Sequence, residues 1–361
     1  MSKHLPAILI GLALAFFSAN GLSSAADDAP NYPEHQDLSY YLDGSGQKQL
    51  IKTKNDWQIR RGHILANLHK VMGDLPRPER PVPLEIKMLE ETTVGDLVRW
   101  KISYHTDSAD RVVSAYLFVP PDGGKRPAVL CLHQTTGIGK GEPVGLGGNP
   151  NLHYALHLAQ RGYITLAPDY PSFGDYKYDF DPKYGYKSGS MKAIYDNIRA
   201  IDLLVSLKEV DADRIGCIGH SLGGHNTIFT AVHDTRIKVA VSNCGFTRFH
   251  KYYDGKLAGW TSARYMPLIA SEYGNSPDKV PFDFPELIAA LAPRAFLASS
   301  PIADSNFEVS GVKDTIASAK PVFKLLGAEE NIAANYPDCA HDFPEDVRKV
   351  AYDFLDKHLK K

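Results

Sequence analysis

The stretch Gly219-His220-Ser221-Leu222-Gly223 constrains what this chain can fold into more than any other, because of what flanks it. Arg214 to Ile218 read as a short buried strand and Leu222 to Val232 as a helix, with Gly224 leaving further room beneath the turn. A serine held in a tight strand-to-helix turn is forced into a strained backbone conformation that lifts its hydroxyl clear of the sheet. Glycines flank such a serine because side chains there would strike neighbouring backbone. The five letters alone arise readily by chance among 29 glycines in 361 residues. It is the strand and the helix on either side that turn a pattern into a structural constraint.

The surrounding chain fits that constraint. From Ala128 onward, short and wholly apolar strands alternate with amphipathic helices, the signature of parallel strand-helix-strand units. Strands are expected at Ala128 to Leu132, Tyr163 to Ala167, Ile237 to Ser242, Ala295 to Ser299 and Ile332 to Tyr336. Helices are expected at Leu152 to Gln160, Met191 to Lys208 and Val312 to Leu326, with a closing helix whose inner stripe is Val347, Val350, Ala351, Phe354 and Leu355. Upstream, Leu84 to Glu90, Val98 to Tyr104 and Val112 to Val119 read as strands forming an antiparallel edge of the same sheet. Before them, Trp57, Ile64, Leu65, Leu68, Val71 and Met72 recur at helical spacing, so the helix from Asp56 to Met72 can pack one face on a core. The expected fold is therefore α/β, a mostly parallel central sheet with helices on both faces and an amino-terminal helical extension. Its parts would be a signal peptide at 1–26, the extension at 27–80 and one catalytic domain at 81–361 carrying an insert at 245–293.

The amino terminus indicates export: Lys3 precedes an apolar run from Leu5 to Phe17, followed by the small residues Ser24-Ala25-Ala26. That run is shorter than the roughly 20 residues needed to span a bilayer, so a periplasmic or extracellular protein without stable membrane association is expected. A formal net charge of −2 gives no electrostatic footprint for nucleic acid. Four cysteines, Cys131, Cys217, Cys244 and Cys339, are too scattered for a zinc site or a disulfide scaffold. No metal or cofactor is expected. Cys131 and Cys217 read as buried thiols within strands, and a bridge between Cys244 and Cys339 stays open at this point.

A serine hydroxyl attacks well only when a base takes its proton, and the base must be oriented by a carboxylate. In this architecture the order along the chain is serine, acid, histidine, each after a later strand. His341 lies just past the strand ending near Tyr336 and just before the final helix, in Cys339-Ala340-His341-Asp342-Phe343-Pro344. Asp304 follows the strand Ala295 to Ser299 and is the expected acid; Asp314 reads as solvent-facing, and Asp338 and Asp342 are too close to His341 in sequence. The oxyanion formed in acyl transfer needs two fixed donors. One is expected from the backbone N–H of Leu222, at the positive end of its helix. The other is expected from the loop His133-Gln134-Thr135-Thr136-Gly137, at Gln134 with Thr135 as the alternative. His133, His220 and His225 read as strand-end or packing residues.

Two long connections, 169–189 and 245–293, leave the carboxyl edge of the sheet and are candidate walls of a substrate site. Tyr170, Phe173, Tyr176 and Tyr178 lie in the first; Phe246, Phe249, Tyr252, Tyr253, Trp260, Arg264 and Tyr265 in the second. Aromatic faces among polar groups suit sugar or aryl rings, and they suit packing onto the sheet equally.

With these residues in place, the chain resembles the α/β-hydrolase superfamily over roughly residues 84–361. The run Val210-Asp211-Ala212-Asp213-Arg214-Ile215-Gly216 leading into the elbow, together with Leu132 to Gly137 and Ala340 to Pro344, is similar to exported bacterial members of its dienelactone-hydrolase-like and acetyl xylan esterase-like branch. That resemblance implies a serine carboxylesterase acting on small or carbohydrate esters. True dienelactone hydrolases use a cysteine nucleophile, and Ser221 departs from them. The alternative is a prolyl-oligopeptidase-like peptidase, a family that usually carries an amino-terminal propeller for which the region before residue 84 is too short.

Overall fold

The structure, a computed structural model, describes residues 29–121 and 123–360; the expected signal peptide lies outside them. At its centre is a nine-stranded sheet built from β3 (Lys87–Val94), β4 (Leu97–His105), β5 (Val112–Val119), β6 (Arg126–Leu132), β7 (Ile164–Pro168), β8 (Val210–His220), β9 (Ile237–Asn243), β10 (Ala295–Ser299) and β11 (Ile332–Asn335). Their spatial order is β11-β10-β9-β8-β6-β7-β5-β4-β3. β6 to β11 are parallel, whereas β3, β4 and β5 form an antiparallel edge joined to β7. A separate two-stranded ribbon, β1 (Tyr40–Leu42) with β2 (Lys48–Leu50), precedes the sheet.

Alternation along the strands sets the two faces. In β6, Ala128, Leu130 and Leu132 join one apolar cluster while Val129 and Cys131 join the other. The second cluster is covered by α2 (Tyr154–Gln160) and α8 (Glu345–Leu359). The first takes α3 (Gly189–Ser206), α4 (Leu222–His233), α6 (Phe284–Leu291) and α7 (Val309–Leu325), and also α1 (Lys54–Met72) through Trp57, Ile64, Leu68, Val71 and Met72. α5 (Leu268–Ser271) is a single turn within the insert. Full burial of five such side chains, each worth about 1.5–3 kcal/mol, ties α1 to the sheet. Among the described residues no helix is long and apolar enough to cross a membrane.

Several elements differ from the sequence-based expectation. β3 starts and ends later than Leu84 to Glu90, because the turn at Gly95, with φ of 59°, pairs Val94 with Leu97 and carries the ladder past Glu90. The extension at 27–80, expected to carry a helix, also holds the β1–β2 hairpin, whose turn is closed by the Asp43 carboxylate accepting the N–H groups of Ser45 and Gln47. The insert at 245–293 contains α6, too short for its period to be read, but fixed by a capping box in which Asp283 and Glu286 each accept from the other's end of the first turn.

A buried polar cluster anchors the amino-terminal segment to that insert. Glu286 accepts from Arg60 at 2.7 Å and pairs with His35 at 2.8 Å, with every one of these side chains at least nine-tenths buried. Arg60 also lies over the Tyr32 ring at 3.1 Å. Removing one partner would leave a buried charge unmatched, which is costly; the intact cluster fixes where the insert sits.

Candidate active site

The carboxyl edge of the parallel strands gathers the predicted residues. Ser221 is the N-cap of α4 and sits at φ 53°, ψ −116°, a conformation that a side chain tolerates only when its surroundings impose it. Two constraints impose it here: the Ser221 N–H donates to the Asn243 carbonyl at 2.9 Å, and the carbonyl of Ser221 accepts from Gly224 at 2.8 Å. A Cβ on Gly219 would overlap the Gly223 carbonyl, and one on Gly223 would overlap that of Leu132, so both glycines are obligatory. The N–H of Leu222 is the first of α4 and so has no intrahelical acceptor.

His341 lies between β11 and α8, with Nδ1 at 3.0 and 2.9 Å from the two carboxylate oxygens of Asp304. Asp304 is 8 % exposed and lies just past β10. Burial alone would raise its pKa, but the His341 hydrogen bond and charge, with the N–H groups of Asn306 and Phe307, outweigh this and hold the carboxyl below the usual range. Those N–H groups donate to Oδ1 at 2.8 and 3.1 Å, so Asp304 is oriented before it meets the imidazole. Of the competing carboxylates, Asp342 accepts from the side chains of Asn149 and Asn151 and thus pins the histidine loop, while Asp314 pairs with Arg248.

His220, next to the elbow, packs edge-on to His341 with ring centroids 4.7 Å apart. Its Nδ1 accepts from Asn243 Nδ2 at 2.6 Å, and burial, then the nearby His341, depress its pKa to about 3. It is therefore a neutral wall that does not compete for protons. Cys244, also at this edge, has φ of 48°, and its Sγ donates to the Asp342 carbonyl at 3.5 Å. His220, Cys244 and His341 bring their ligand atoms within 4.8 Å of one another, the one group among the described residues that could hold a cation. Three separate strand ends supply them, so no sequence spacing reveals the cluster. All four cysteines are free, with Cys131 and Cys217 buried as expected and Cys244 and Cys339 unbridged.

The loop after β6 is rigid for reasons visible residue by residue. The N–H of Tyr170 donates to His133 Nε2 at 2.9 Å, which leaves Nδ1 protonated to donate to the Gln134 carbonyl at 2.6 Å. Burial lowers the His133 pKa and keeps the ring in this neutral tautomer. The Gln134 side chain turns to Glu142, donating at 3.1 and 2.9 Å. Lys140, itself buried, clamps the loop to Asp169 at 2.6 Å. Because the peptide is planar and trans, a Gln134 carbonyl held by His133 aims the Thr135 N–H the opposite way. It is Thr135, not Gln134, that lines the cavity at Ser221.

That cavity has a volume of about 70 Å³ and is walled by Leu222, His225, Tyr252, Trp260, Tyr265 and Phe307, among others. Phe307, which lines this cavity, also lies against His341, with ring centroids 6.0 Å apart and the rings tilted. Both long connections therefore do contribute here: Tyr252, Trp260 and Tyr265 come from the insert, and Tyr170 and Phe173 pack on Tyr265 and Leu222 behind the wall. Larger recesses of about 730 and 390 Å³ run along 169–189, lined by Arg111, Tyr178, Phe180 and Tyr184, and do not include Ser221.

A mostly parallel sheet with a strained serine at the end of β8 and an Asp-His pair after β10 and β11 has the architecture of the α/β-hydrolase fold. Residues 151–288 match the model of the prolyl oligopeptidase family, a stretch that includes the elbow and the insert as far as residue 288 but neither Asp304 nor His341. The chain is 28% identical to the Bacillus subtilis (strain 168) protein named "Putative hydrolase YtaP", over 83% of this chain and 100% of that one. Among solved structures it is similar to a glucuronoyl esterase from Solibacter usitatus, with a TM-score of 0.70, 20% identity and coverage of 92% and 99%. A carbohydrate esterase family 15 glucuronoyl esterase from Caldicellulosiruptor kristjansonii gives a TM-score of 0.64 at 19% identity, covering 88% of each chain.

Proposed function

We propose that this protein is a serine carboxylesterase acting on carbohydrate esters, with Ser221 as nucleophile, His341 as base and Asp304 as the orienting acid. The observation that carries the reading is the Asp304–His341 pair, whose imidazole packs against His220, next to the strained Ser221, and against Phe307 of the cavity that Ser221 lines. Its Nδ1 bound to Asp304, the imidazole presents Nε2 as the proton acceptor. Ser221 Oγ attacks the ester carbonyl as Nε2 takes its proton, and the carbonyl oxygen gains charge between the N–H groups of Leu222 and Thr135. Within the Gln134–Thr135 peptide the donor is thus the nitrogen of Thr135, the alternative left by the sequence. Collapse passes the proton from His341 to the departing alcohol, leaving an acyl-serine. Water, deprotonated by His341, then releases the acid and restores the serine. No cofactor takes part in these steps.

Esters of sugars are the substrate class supported by the similar structures, which include glucuronoyl esterases, and by the aromatic walls of the cavity. The charge pattern of residues 1–26 fits export to where such polymers are met. The match to the prolyl oligopeptidase family supports a second reading, a peptidase built on the same elbow. One experiment separates them: label the protein with a fluorophosphonate, then assay acetylated xylosides, methyl glucuronate and proline peptides with the wild type and Ser221→Ala. Ester turnover lost in Ser221→Ala is the expected result. Labelling of Ser221 with turnover of peptides alone would overturn the esterase reading.

A further inference from the structure

Three potential metal ligands that no step of ester hydrolysis needs together meet at the catalytic histidine. One ring nitrogen each of His220 and His341 and the Sγ of Cys244 lie within 4.8 Å of one another. They arrive from the ends of β8 and β9 and from the loop after β11. Cys244 stands at φ 48°, a left-handed conformation in which glycine, asparagine or aspartate is usual, with its N–H held by the Ser299 carbonyl at 2.8 Å. That backbone does not call for a cysteine. What the residue adds is a thiol beside two imidazoles.

This corner is rich in lone pairs and short of protons. The Asn243 amide nitrogen has two hydrogens, yet three acceptors surround it: His220 Nδ1 at 2.6 Å, the Asp342 carbonyl at 3.1 Å and Cys244 Sγ at 3.4 Å. Its own Oδ1 is buried without a partner. A cation relieves both shortages. Bound to His220 through Nδ1, it replaces an amide hydrogen; bound through Nε2, it leaves Nδ1 protonated, and the amide, turned over, accepts that N–H with Oδ1. An acceptor behind a metal-bound imidazole is the usual support of such a ligand. The His341 side chain is 24 % exposed, whereas His220 and Cys244 are each 1 % exposed, so an ion reaches the cluster from the His341 side.

We propose that His220, Cys244 and His341 bind a thiophilic divalent cation, Zn²⁺ or its analogue Cd²⁺, and that the bound ion inactivates the enzyme. Two imidazoles and a thiolate suit Zn²⁺, with water in the fourth position, whereas Mg²⁺ and Ca²⁺ take oxygen ligands. The thiol of Cys244 gives its proton to solvent as Sγ takes the metal. At metal–ligand bonds of about 2.0 to 2.3 Å, tetrahedral ligand atoms stand about 3.5 Å apart, so the three close by roughly 1 Å on the ion. Inactivation follows whichever nitrogen of His341 binds. Through Nε2 the metal occupies the lone pair that takes the Ser221 proton; through Nδ1 it displaces Asp304. That consequence rests on the esterase reading above, and the binding does not.

The test adds Zn²⁺, Cd²⁺ or Mg²⁺ to chelator-treated protein. Zn²⁺ is expected to stop hydrolysis of a short acyl ester and fluorophosphonate labelling of Ser221 together, with EDTA restoring both and Mg²⁺ changing neither. Cd²⁺ is expected to raise an ultraviolet thiolate-to-metal charge-transfer band that persists in Cys339→Ser, which lacks the neighbouring thiol, and is lost in Cys244→Ser. Loss of a group that merely supports a metal ligand costs about 10- to 100-fold in affinity, so the Zn²⁺ concentration for half-inhibition is expected to rise at least about tenfold in Cys244→Ser and in His220→Phe. Labelling of Ser221 in the metal-free variants checks that each is folded. A Cd²⁺ band that is absent or independent of Cys244, labelling unaffected by Zn²⁺, or one half-inhibition concentration shared by all variants overturns the site and leaves the esterase standing. A labelled, metal-free wild type that turns over no ester overturns the esterase reading instead, and the Cd²⁺ band still decides whether the ion binds.

Discussion

Asp304 and His341 are 37 residues apart in sequence, yet both carboxylate oxygens of the first lie within 3.0 Å of Nδ1 of the second. Contact on both oxygens fixes the ring's tilt as well as its tautomer. Asp304→Asn keeps the shape and can present an N–H where an acceptor is needed, which favours the wrong tautomer. A drop in kcat of about 10³ to 10⁴ is expected, with KM little changed. Hydrolysis of a short acyl ester over a range of concentrations measures both, and a loss below tenfold would show that Asp304 is not the orienting acid.

The loop after β6 yields a second expectation. His133 is not among the residues lining the cavity at Ser221, but its Nδ1–H holds the Gln134 carbonyl and so aims the Thr135 N–H. His133→Leu frees that peptide to rotate. Removal of a whole oxyanion donor typically costs about 10² to 10³ in kcat, so mispositioning one is expected to cost about 10- to 100-fold. Because the loss falls on the transition state, kcat should drop with KM nearly constant. A rise in KM alone would assign His133 to ground-state packing.

How much of this was legible in the chain depends on how local each cause is. Ser221, Leu222 and their glycines could be read directly, because the elbow is a contiguous strand-turn-helix whose sterics act within a few residues. Asp304 and His341 could be placed because the order of parallel strands dictates which strand ends meet. What could not be read is what depends on orientation across distant segments. Thr135 lines the cavity, while the loop that carries it is held through His133 by the N–H of Tyr170, 37 residues away. α6 hid inside a long connection because its eight residues give barely two turns of periodicity. The Glu286 cluster was invisible for the same reason: Arg60 and Glu286 are 226 residues apart.

That cluster makes stability fall as pH rises. Burial raises the Asp283 pKa to about 6 against its ordinary 3.8, more than the His35 charge and two N–H groups lower it. The folded state therefore keeps a proton that the unfolded chain loses, and this contribution declines from about pH 4 to pH 6. For His35, burial acts downward, but the Glu286 charge and hydrogen bond outweigh it and leave the pKa above 6.5. Its contribution is fully present below pH 6.5 and is lost as pH rises through the raised folded value. Melting temperature is thus expected to decrease from pH 5 to pH 9, and His35→Gln to lie further below wild type at pH 6 than at pH 9. A gap between the two that is constant with pH would remove His35 from the linkage.

The strain at Ser221 offers a stability test that is independent of turnover. At φ 53° and ψ −116° a residue with a Cβ is held at a cost of about 1–3 kcal/mol, and glycine escapes most of it. Ser221→Ala removes the hydroxyl and retains the Cβ; Ser221→Gly removes both. Neither can form an acyl-enzyme, so both should be inactive. The glycine variant pays in unfolded-state freedom, about 0.5–1 kcal/mol against alanine, which is less than the strain it relieves. Ser221→Gly is therefore expected to unfold at higher urea concentration than Ser221→Ala, by a difference of up to about 2 kcal/mol. Were alanine the more stable of the two, the elbow would not be storing strain, and the lifted position of the hydroxyl would need another cause.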